Sequence, residues 1–460
     1  IKNCDYLISS SFYEGYPRVI NEALALGKLC IGTKVTGTKE ALHDGKMGLL
    51  VEDSTKGLID GMNEVIANKD IEKNYADEIN NFDGNKKIFF ESFENLCTRK
   101  EKMIIYMPKL SFGGMEKALV NLINYAHLND KYDITLYLVY KGEMNYFDLL
   151  PSNIKLMISC PDKFNLFGKT ISGFKLLLRY IYHLFKKYDI AISYSYQHPI
   201  LCSVTRCASN NNFVYIHGNL TQSVTEKALK KRLKKCRYEK FNKIICVSED
   251  SKNALCKLIN RKDKIYTVNN IVDGDKIIEK SNENIDDFNF ENGKTYFINI
   301  SRHFETYKKI LRLIYATDKL NKEGYKFEVI LIGDGEDHAL YLNKIKELNI
   351  KNIHVLGKKI NPYKYLVNSS ALVLSSAREG YPVVFIESMV LNIPIITTNV
   401  SDAKKDIEGR FGIVVPNDDE SLYYGMKKFL NIVFVLKKKF DYLDFNEKIE
   451  KKVIEIYNEK

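Results

Sequence analysis

Several absences narrow the sequence before any motif is read. No apolar run approaches the roughly 18 to 20 residues needed to span a bilayer, since runs such as AISY and ALVLSSA are short and broken by charge or Ser. The amino terminus has no basic region leading into an apolar stretch and small-residue cleavage site, so it does not read as a secretory signal. An initiator Met is also missing. Ile1 falls just upstream of a motif, and the expectation is a fragment or a processed chain. The nine cysteines form no C-x-x-C pair and are odd in number, which argues against a zinc site and a disulfide framework and fits a reducing cytoplasm.

What is present is a globular composition, 45% hydrophobic over 460 residues, enough for two or three domains. The net charge of +11 is locally concentrated. KALKKRLKKCRYEK, residues 227–240, is strongly basic, with Leu229, Leu233, Cys236 and Phe241 spaced to share one helical face. Such a helix suits an anionic membrane surface, and equally a solvated helix docked by its Leu stripe. Nucleic acid is not an expected partner, because only Tyr238 and Phe241 stand near these charges and no recognisable module is present.

Three regions alternate strand and helix patterns, which predicts parallel α/β architecture. Residues 1–95 hold CDYLISS and LCIGT as strands. Residues 103–275 open on the strand KMIIYMPKL, followed by Gly113, Gly114 and the helical pattern MEKALVNLINYA, and read as a Rossmann-like domain. NENIDDFNFENGK reads as an interdomain linker, and residues 292–435 form another doubly wound domain, followed by a C-terminal helix over 436–460. The first region repeats part of the last. FYEGYPRVINEALALG returns as AREGYPVVFIESMVLN at a lag of about 365 residues, with Glu14 matching Glu379 and Glu22 matching Glu387. Only the second half of the later domain is repeated, so the pattern is a partial duplication rather than a solenoid.

In SSAREGYPVVFIESMV a strand ends at Ser376, a loop carries Glu379, Gly380 and Tyr381, and Pro382 suits the start of a helix. Glycine permits close approach of backbone to ligand, and free N–H groups at a helix start favour a phosphate. Two carboxylates eight residues apart also invite a glycosidase reading. In one continuous helix their Cα atoms would lie roughly 12 Å apart, which makes separate hydrogen bonds to sugar hydroxyls the easier role. The bland alternative is a helix cap at Glu379 and a solvated position at Glu387.

Glu-Gly-Tyr-Pro with a second Glu eight positions after the first resembles the E-x7-E element of retaining glycosyltransferases of family 4, which have the GT-B fold of two facing Rossmann-like domains. The resemblance covers roughly residues 103–435. MPKLSFGGMEKALVNL is similar to the family's amino-terminal Gly-Gly-x-Glu loop, CVSEDSKNAL and VNNIVD to its segments before the domain crossing, and ISRHFETYKKILRLIYA to its Arg and Lys element. GKKINPYKYL resembles forms found in surface polysaccharide assembly.

The resemblance implies that Arg302 and Lys308 hold the donor diphosphate, with Lys309 open as an alternative because Lys308 lies one residue later than the common form. It implies Glu379 on donor-sugar hydroxyls, Glu387 on the nucleotide ribose, and backbone N–H groups near Val383 on phosphate. Gly333 and Gly335 of LIGDG would line the nucleotide crevice, His217 of VYIHGN would face the reacting side of the sugar, and Gly113 and Gly114 would approach the diphosphate or acceptor. Gly380 and Tyr381 belong to the same donor loop. GDGEDH lacks the third glycine of a dinucleotide fingerprint. Asp273 and Asp275 mimic a metal-binding D-x-D, but the family is metal-independent, so no metal or cofactor is expected.

The expected activity is transfer of a hexose or N-acetylhexosamine from a nucleotide sugar, a UDP-sugar, to a lipid-linked or cell-surface glycan acceptor at the inner face of the cell membrane. Two alternatives are a GT-B nucleotide-sugar epimerase and a non-catalytic glycan- or membrane-binding relative. The first region lacks a matching Arg and Lys element and an acceptor domain, so its Glu14 and Glu22 are expected to be a silent remnant of a truncated second family member.

Overall fold

The computed structural model describes every residue except 16, 69, 81–99, 112, 144–145, 161–177, 179–181, 183–187, 195–197, 221–225, 435, 437–438 and 460. The chain divides into two compact units, Ile1–Lys100 and Glu101–Lys460. In the first, strands β1 (Tyr6–Ser9), β2 (Leu29–Thr33) and β3 (Gly48–Val51) pair in parallel in that order. The helix Arg18–Ala25 turns Ile20, Ala23 and Leu24 onto the sheet at helical spacing, where they meet Cys30 and Ile31.

The second unit contains two parallel sheets. The first has β4 (Glu101–Met107), β5 (Tyr132–Tyr140), β6 (Lys155–Cys160), β7 (Ile190–Ser193), β8 (Asn212–Ile216), β9 (Lys243–Cys246) and β10 (Ile265–Thr267), ordered β10-β9-β8-β7-β4-β5-β6. The second has β11 (Tyr296–Ile300), β12 (Glu328–Ile332), β13 (Ile353–Gly357), β14 (Ala371–Leu374), β15 (Ile395–Thr398) and β16 (Gly412–Val415), ordered β13-β12-β11-β14-β15-β16. Central strands such as Met103–Met107 and Ala371–Leu374 are buried at every position, as helices on both faces require. Strand order reverses at β4 in one sheet and between β11 and β14 in the other. Open α/β sheets bind ligands beyond the carboxyl ends of strands at such reversals. The Gly-Gly loop follows β4, Arg302 follows β11 and Glu379 follows β14.

Two segments depart from their sequence expectation. The acidic, Asn-rich stretch before β11 is docked rather than free: Phe288 and Phe290 pack edge-on against Tyr296, and Asp287 meets the Tyr365 hydroxyl and the Lys359 ammonium. Two aromatic residues in four are enough to anchor a segment whose composition otherwise reads as linker. The helix Tyr442–Asn458, capped by Asp441 accepting from Asp444 N at 3.0 Å, returns to the first sheet instead of extending the second. Its Ile449, Val453, Ile456 and Tyr457 stripe enters the core formed by Tyr132, Phe213 and Tyr215, where the Tyr457 and Tyr215 hydroxyls are 2.7 Å apart.

The basic segment forms the helix Glu226–Cys236, and its apolar stripe is already used. Leu229, Cys236 and Phe241 are buried, and with Leu233 they pack against Val214, Ile216 and Ile244. Among the described side chains this stripe is docked on the sheet, which is the second of the two readings the sequence allowed. Lys231, Lys234, Lys235 and Arg237 are exposed, while the side chains of Lys227, Lys230 and Arg232 lie outside the described residues. No described helix is long and apolar enough to cross a membrane.

Candidate donor-binding cleft

The loop after β14 is fixed on both sides before it reaches Glu379. Ser375 Oγ donates to Lys308 O at 2.8 Å, Ala377 N to Tyr307 O at 2.8 Å, and Thr398 Oγ1 to Ser376 O at 2.6 Å. The helix Val383–Val390 follows, with Pro382 at φ −62° preceding its first turn. Backbone N–H groups at Val383 therefore stand at a helix start, although the Val383 side chain itself is buried.

Glu379 accepts from Ser376 Oγ at 2.6 Å and from the Lys308 ammonium at 2.5 Å. Lys308 ends the short helix Glu305–Lys308, and Lys309 takes φ +49° between it and the helix Ile310–Lys322. That left-handed residue breaks the helix and turns consecutive lysines apart, so of the two it is Lys308 that reaches Glu379. Arg302 lies apart from this pair. Its guanidinium is 3.3 Å from Glu336 and remains well exposed, so the two cations expected to act together are held by different carboxylates.

Gly333 has φ +148°, and a Cβ there would lie 1.8 Å from Ser301 O. Gly335 is similarly close to His303 O, at 2.3 Å. Both glycines thus let the loops after β11 and β12 touch, and any role toward a nucleotide is through loop position. Beneath them His303 Nδ1 meets His338 Nδ1 at 2.9 Å, and burial, with His338 beside it, pushes His303 down to about 4. Neither histidine was singled out from the sequence, where each stands as a lone His with no motif around it.

The first sheet contributes the opposite wall. Gly113 precedes the helix Gly114–Tyr125, and Glu116 folds back over it, placing Oε2 2.3 Å from where a Cβ would stand. Gly114 has open space on that side. Burial raises the Glu116 carboxyl, while its own backbone N–H, Lys109 and Arg302 oppose the rise, which puts Arg302 within electrostatic reach across the cleft. His217, just past β8, lies under the rings of Tyr194 and Tyr215, with centroids 4.4 and 6.0 Å away. Burial pushes it down to about 3, against the Tyr194 backbone, so its imidazole is neutral at ordinary pH. Its carbonyl packs closely against the other half: a Cβ on Gly380 would lie 2.0 Å from His217 O.

Two of the expected donor ligands also hold protein partners. Tyr381 is buried with its hydroxyl 3.0 Å from Asp406 Oδ2, while its carbonyl accepts from Asn270 Nδ2 at 2.8 Å, so it ties the loop to the domain crossing. Glu387 is only 4% exposed and meets Tyr363 OH at 3.2 Å and the ammonium of Lys117. Lys117 belongs to the Gly-Gly helix and was missed, because a lysine in a first helical turn carries no sign of a partner 270 residues away. Asp273 caps the helix Gly274–Ser281 through Lys276 N at 2.9 Å, and Asp275 accepts from Tyr442 OH at 2.6 Å, so both have structural work.

In the first unit the repeat keeps part of this wiring. Ser11 Oγ donates to Glu14 at 2.9 Å and Thr33 Oγ1 to Ser11 O at 2.5 Å, the counterparts of the Ser376 and Thr398 bonds. Among the described residues no cation pairs with Glu14 or Glu22. Tyr16, the counterpart of Tyr381, lies outside the described residues.

Comparison with known proteins agrees with this architecture. The chain is 28% identical over 258 residues to an uncharacterized glycosyltransferase of Methanocaldococcus jannaschii, covering 54% of this chain and 62% of the relative, less than two thirds of its length. It is 25% identical to an α-1,4-N-acetyl-D-galactosaminyltransferase of Campylobacter jejuni named for an undecaprenol-linked glycan, over 69% of this chain and 86% of that one. The crystal structure of Anabaena HepE in complex with UDP and glucose superposes with a TM-score of 0.56 at 14% identity, over 77% of this chain and 99% of HepE. That likeness places the paired sheets in the GT-B fold. The model of the family described as glycosyl transferases group 1 matches residues 1–82 and 281–440, more than half of the sequence, and the chain belongs to that family.

Proposed function

We propose that the protein is a metal-independent, family 4-like transferase that moves a hexose or N-acetylhexosamine from a UDP-sugar to a lipid-linked or cell-surface glycan, with retention at the anomeric carbon. The observation that carries this reading is the Lys308–Glu379 pair with Ser376 at the reversal between β11 and β14. A departing nucleoside diphosphate gathers negative charge as the sugar–oxygen bond breaks, and positioned cations lower that barrier. Lys308 is the cation held nearest the sugar-binding carboxylate, and Arg302, loosely paired at the surface, is free to turn onto the diphosphate. Glu379 then orients donor-sugar hydroxyls, while the neutral His217 serves as a hydrogen-bonding group beside them rather than as a charge. The leaving phosphate assists deprotonation of the acceptor hydroxyl on the same face. The exposed lysines at 231, 234 and 235 would hold the enzyme by charge alone at an anionic leaflet bearing the acceptor.

The acceptor class rests on the undecaprenol-linked glycan for which the Campylobacter relative is named, and the uridine base on the UDP bound to HepE. The domain plan proposed is a silent partial donor-binding piece at 1–95, an acceptor-side domain at 103–275, and a donor domain at 292–435. The test is nucleotide release from UDP-, GDP- and ADP-sugars with and without undecaprenyl-diphosphate-linked acceptors, with the product anomer read by NMR. Release only in the presence of acceptor is expected. Acceptor-independent sugar interconversion would indicate the epimerase, and glycan binding without turnover a non-catalytic relative. Lys308→Met should lower kcat/KM by about 10²- to 10³-fold, the loss typical of one transition-state donor.

A further inference from the structure

The helix Val383–Val390 buries seven of its eight residues, and Glu387 is the one ionisable group among them. A carboxylate so enclosed needs a counter-charge, since an unpaired buried charge is among the costliest features a fold can hold. Among the described residues no lysine or arginine of its own half provides one. The ammonium that meets it comes from Lys117, on the helix Gly114–Tyr125 of the facing sheet, and the Tyr363 hydroxyl completes the cluster. Burial would by itself lower the Lys117 ammonium, yet Glu387, followed by the tyrosines 363 and 146, holds it well above the ordinary lysine value. Drawing the two halves apart would leave Glu387 with Tyr363 alone.

We propose that Lys117 is a positioning residue of the donor site: by pairing across the cleft with Glu387 it holds the Gly-Gly loop over the loops that end β11 and β14. This rests on the donor-binding reading of the cleft. Lys117 precedes no reacting group and follows Glu116, whose carboxylate already folds over Gly113, so the pair fixes the whole start of that helix against the donor half. Apparent affinity for a ligand falls in proportion to the fraction of molecules in the competent arrangement. Loss of the ammonium therefore acts on donor binding and spares the chemistry of donor once bound.

The experiment compares full-length wild type with Lys117→Met, Lys117→Arg and Glu387→Gln. Lys117→Met is expected to raise donor KM at least tenfold with kcat within about threefold, and Lys117→Arg, which keeps the charge, to recover most of the loss. Combining Lys117→Met with Glu387→Gln should cost little beyond either change alone. An unchanged KM, a fall confined to kcat, or no recovery by Arg would overturn the proposal. Should Lys117→Met melt early, Glu387→Gln supplies the same readings with its shape retained. Calorimetric titration of wild type with UDP, GDP and ADP separates the two claims: no nucleotide binding removes the donor-site reading. A spin-label distance between the two sheets, measured without nucleotide, tests the pairing by itself. The distance should lengthen or broaden in Lys117→Met, and an identical distribution would reject the latch.

Discussion

Gly380→Ala adds one methyl group where the backbones of the two halves face each other closely. That carbon would stand 2.0 Å from His217 O, 2.6 Å from His217 C and 3.1 Å from Val247 Cγ2. The first two are backbone atoms at the end of a buried strand and cannot swing aside as a side-chain tip can. To reach ordinary contact, near 3.5 Å, the facing backbones must part by more than 1 Å. Overpacking of this kind costs about 1–3 kcal/mol. Because His217 and Gly380 belong to different sheets, the strain can be relieved by opening the cleft, and the cost falls on the closed arrangement rather than on either core. Donor affinity should drop about 5- to 150-fold, while the melting temperature moves by no more than a few degrees. Isothermal titration with nucleotide beside a thermal melt reads both quantities. Gly15, the matching glycine of the first unit, has nothing within 4 Å of its Cβ direction, so Gly15→Ala serves as the control and should change neither. Wild-type affinity in Gly380→Ala, or a collapse of stability without a binding defect, would refute the close-approach argument.

Acid should destabilise the fold in a defined window. His217 and His303 are held down to about 3 and about 4, below the value near 6.5 they regain on unfolding. The unfolded chain therefore takes up protons first, stability is full above about pH 7, and each group withdraws roughly 2 kcal/mol by pH 5. Denaturant midpoints flat between pH 7 and 5 would contradict this. Deleting residues 1–100 should leave donor turnover intact, and the cut belongs there because β4 begins at Glu101. A large loss of activity in that truncated chain would show that the first unit contributes to the reaction.

The strand-end loops were legible because their signals are local. A hydrophobic run, a break, a Glu-Gly-Tyr-Pro and a helix pattern follow one another within twenty residues, and the structure has β14, a loop and the helix Val383–Val390 there. The partners of those residues were not legible. Glu379 and Lys308 are 71 positions apart, Glu387 and Lys117 are 270 apart, and no periodicity encodes either pairing. Tyr381 shows a structural job that was equally illegible: an aromatic residue in a ligand loop reads as a ligand contact, and the structure gives it a buried ring and a hydroxyl 3.0 Å from Asp406. The basic helix could not be decided from sequence for a related reason, since a stripe of Leu and Cys looks the same whether lipid or a strand covers it.

The returning C-terminal helix bears on how the cleft can move. The polypeptide passes between the halves once through the segment 268–274, where Asn121 and Asn446 hold the backbone at Ile271 and Val272, and again through the stretch before Tyr442. The two crossings lie side by side, joined by Asn446 Nδ2 donating to Val272 O at 2.7 Å and Tyr442 OH to Asp275 at 2.6 Å, so together they form one braced hinge rather than a single loose tether. A hinge braced in this way would resist twisting of one half against the other, and closure would return His217 to Gly380 and Lys117 to Glu387.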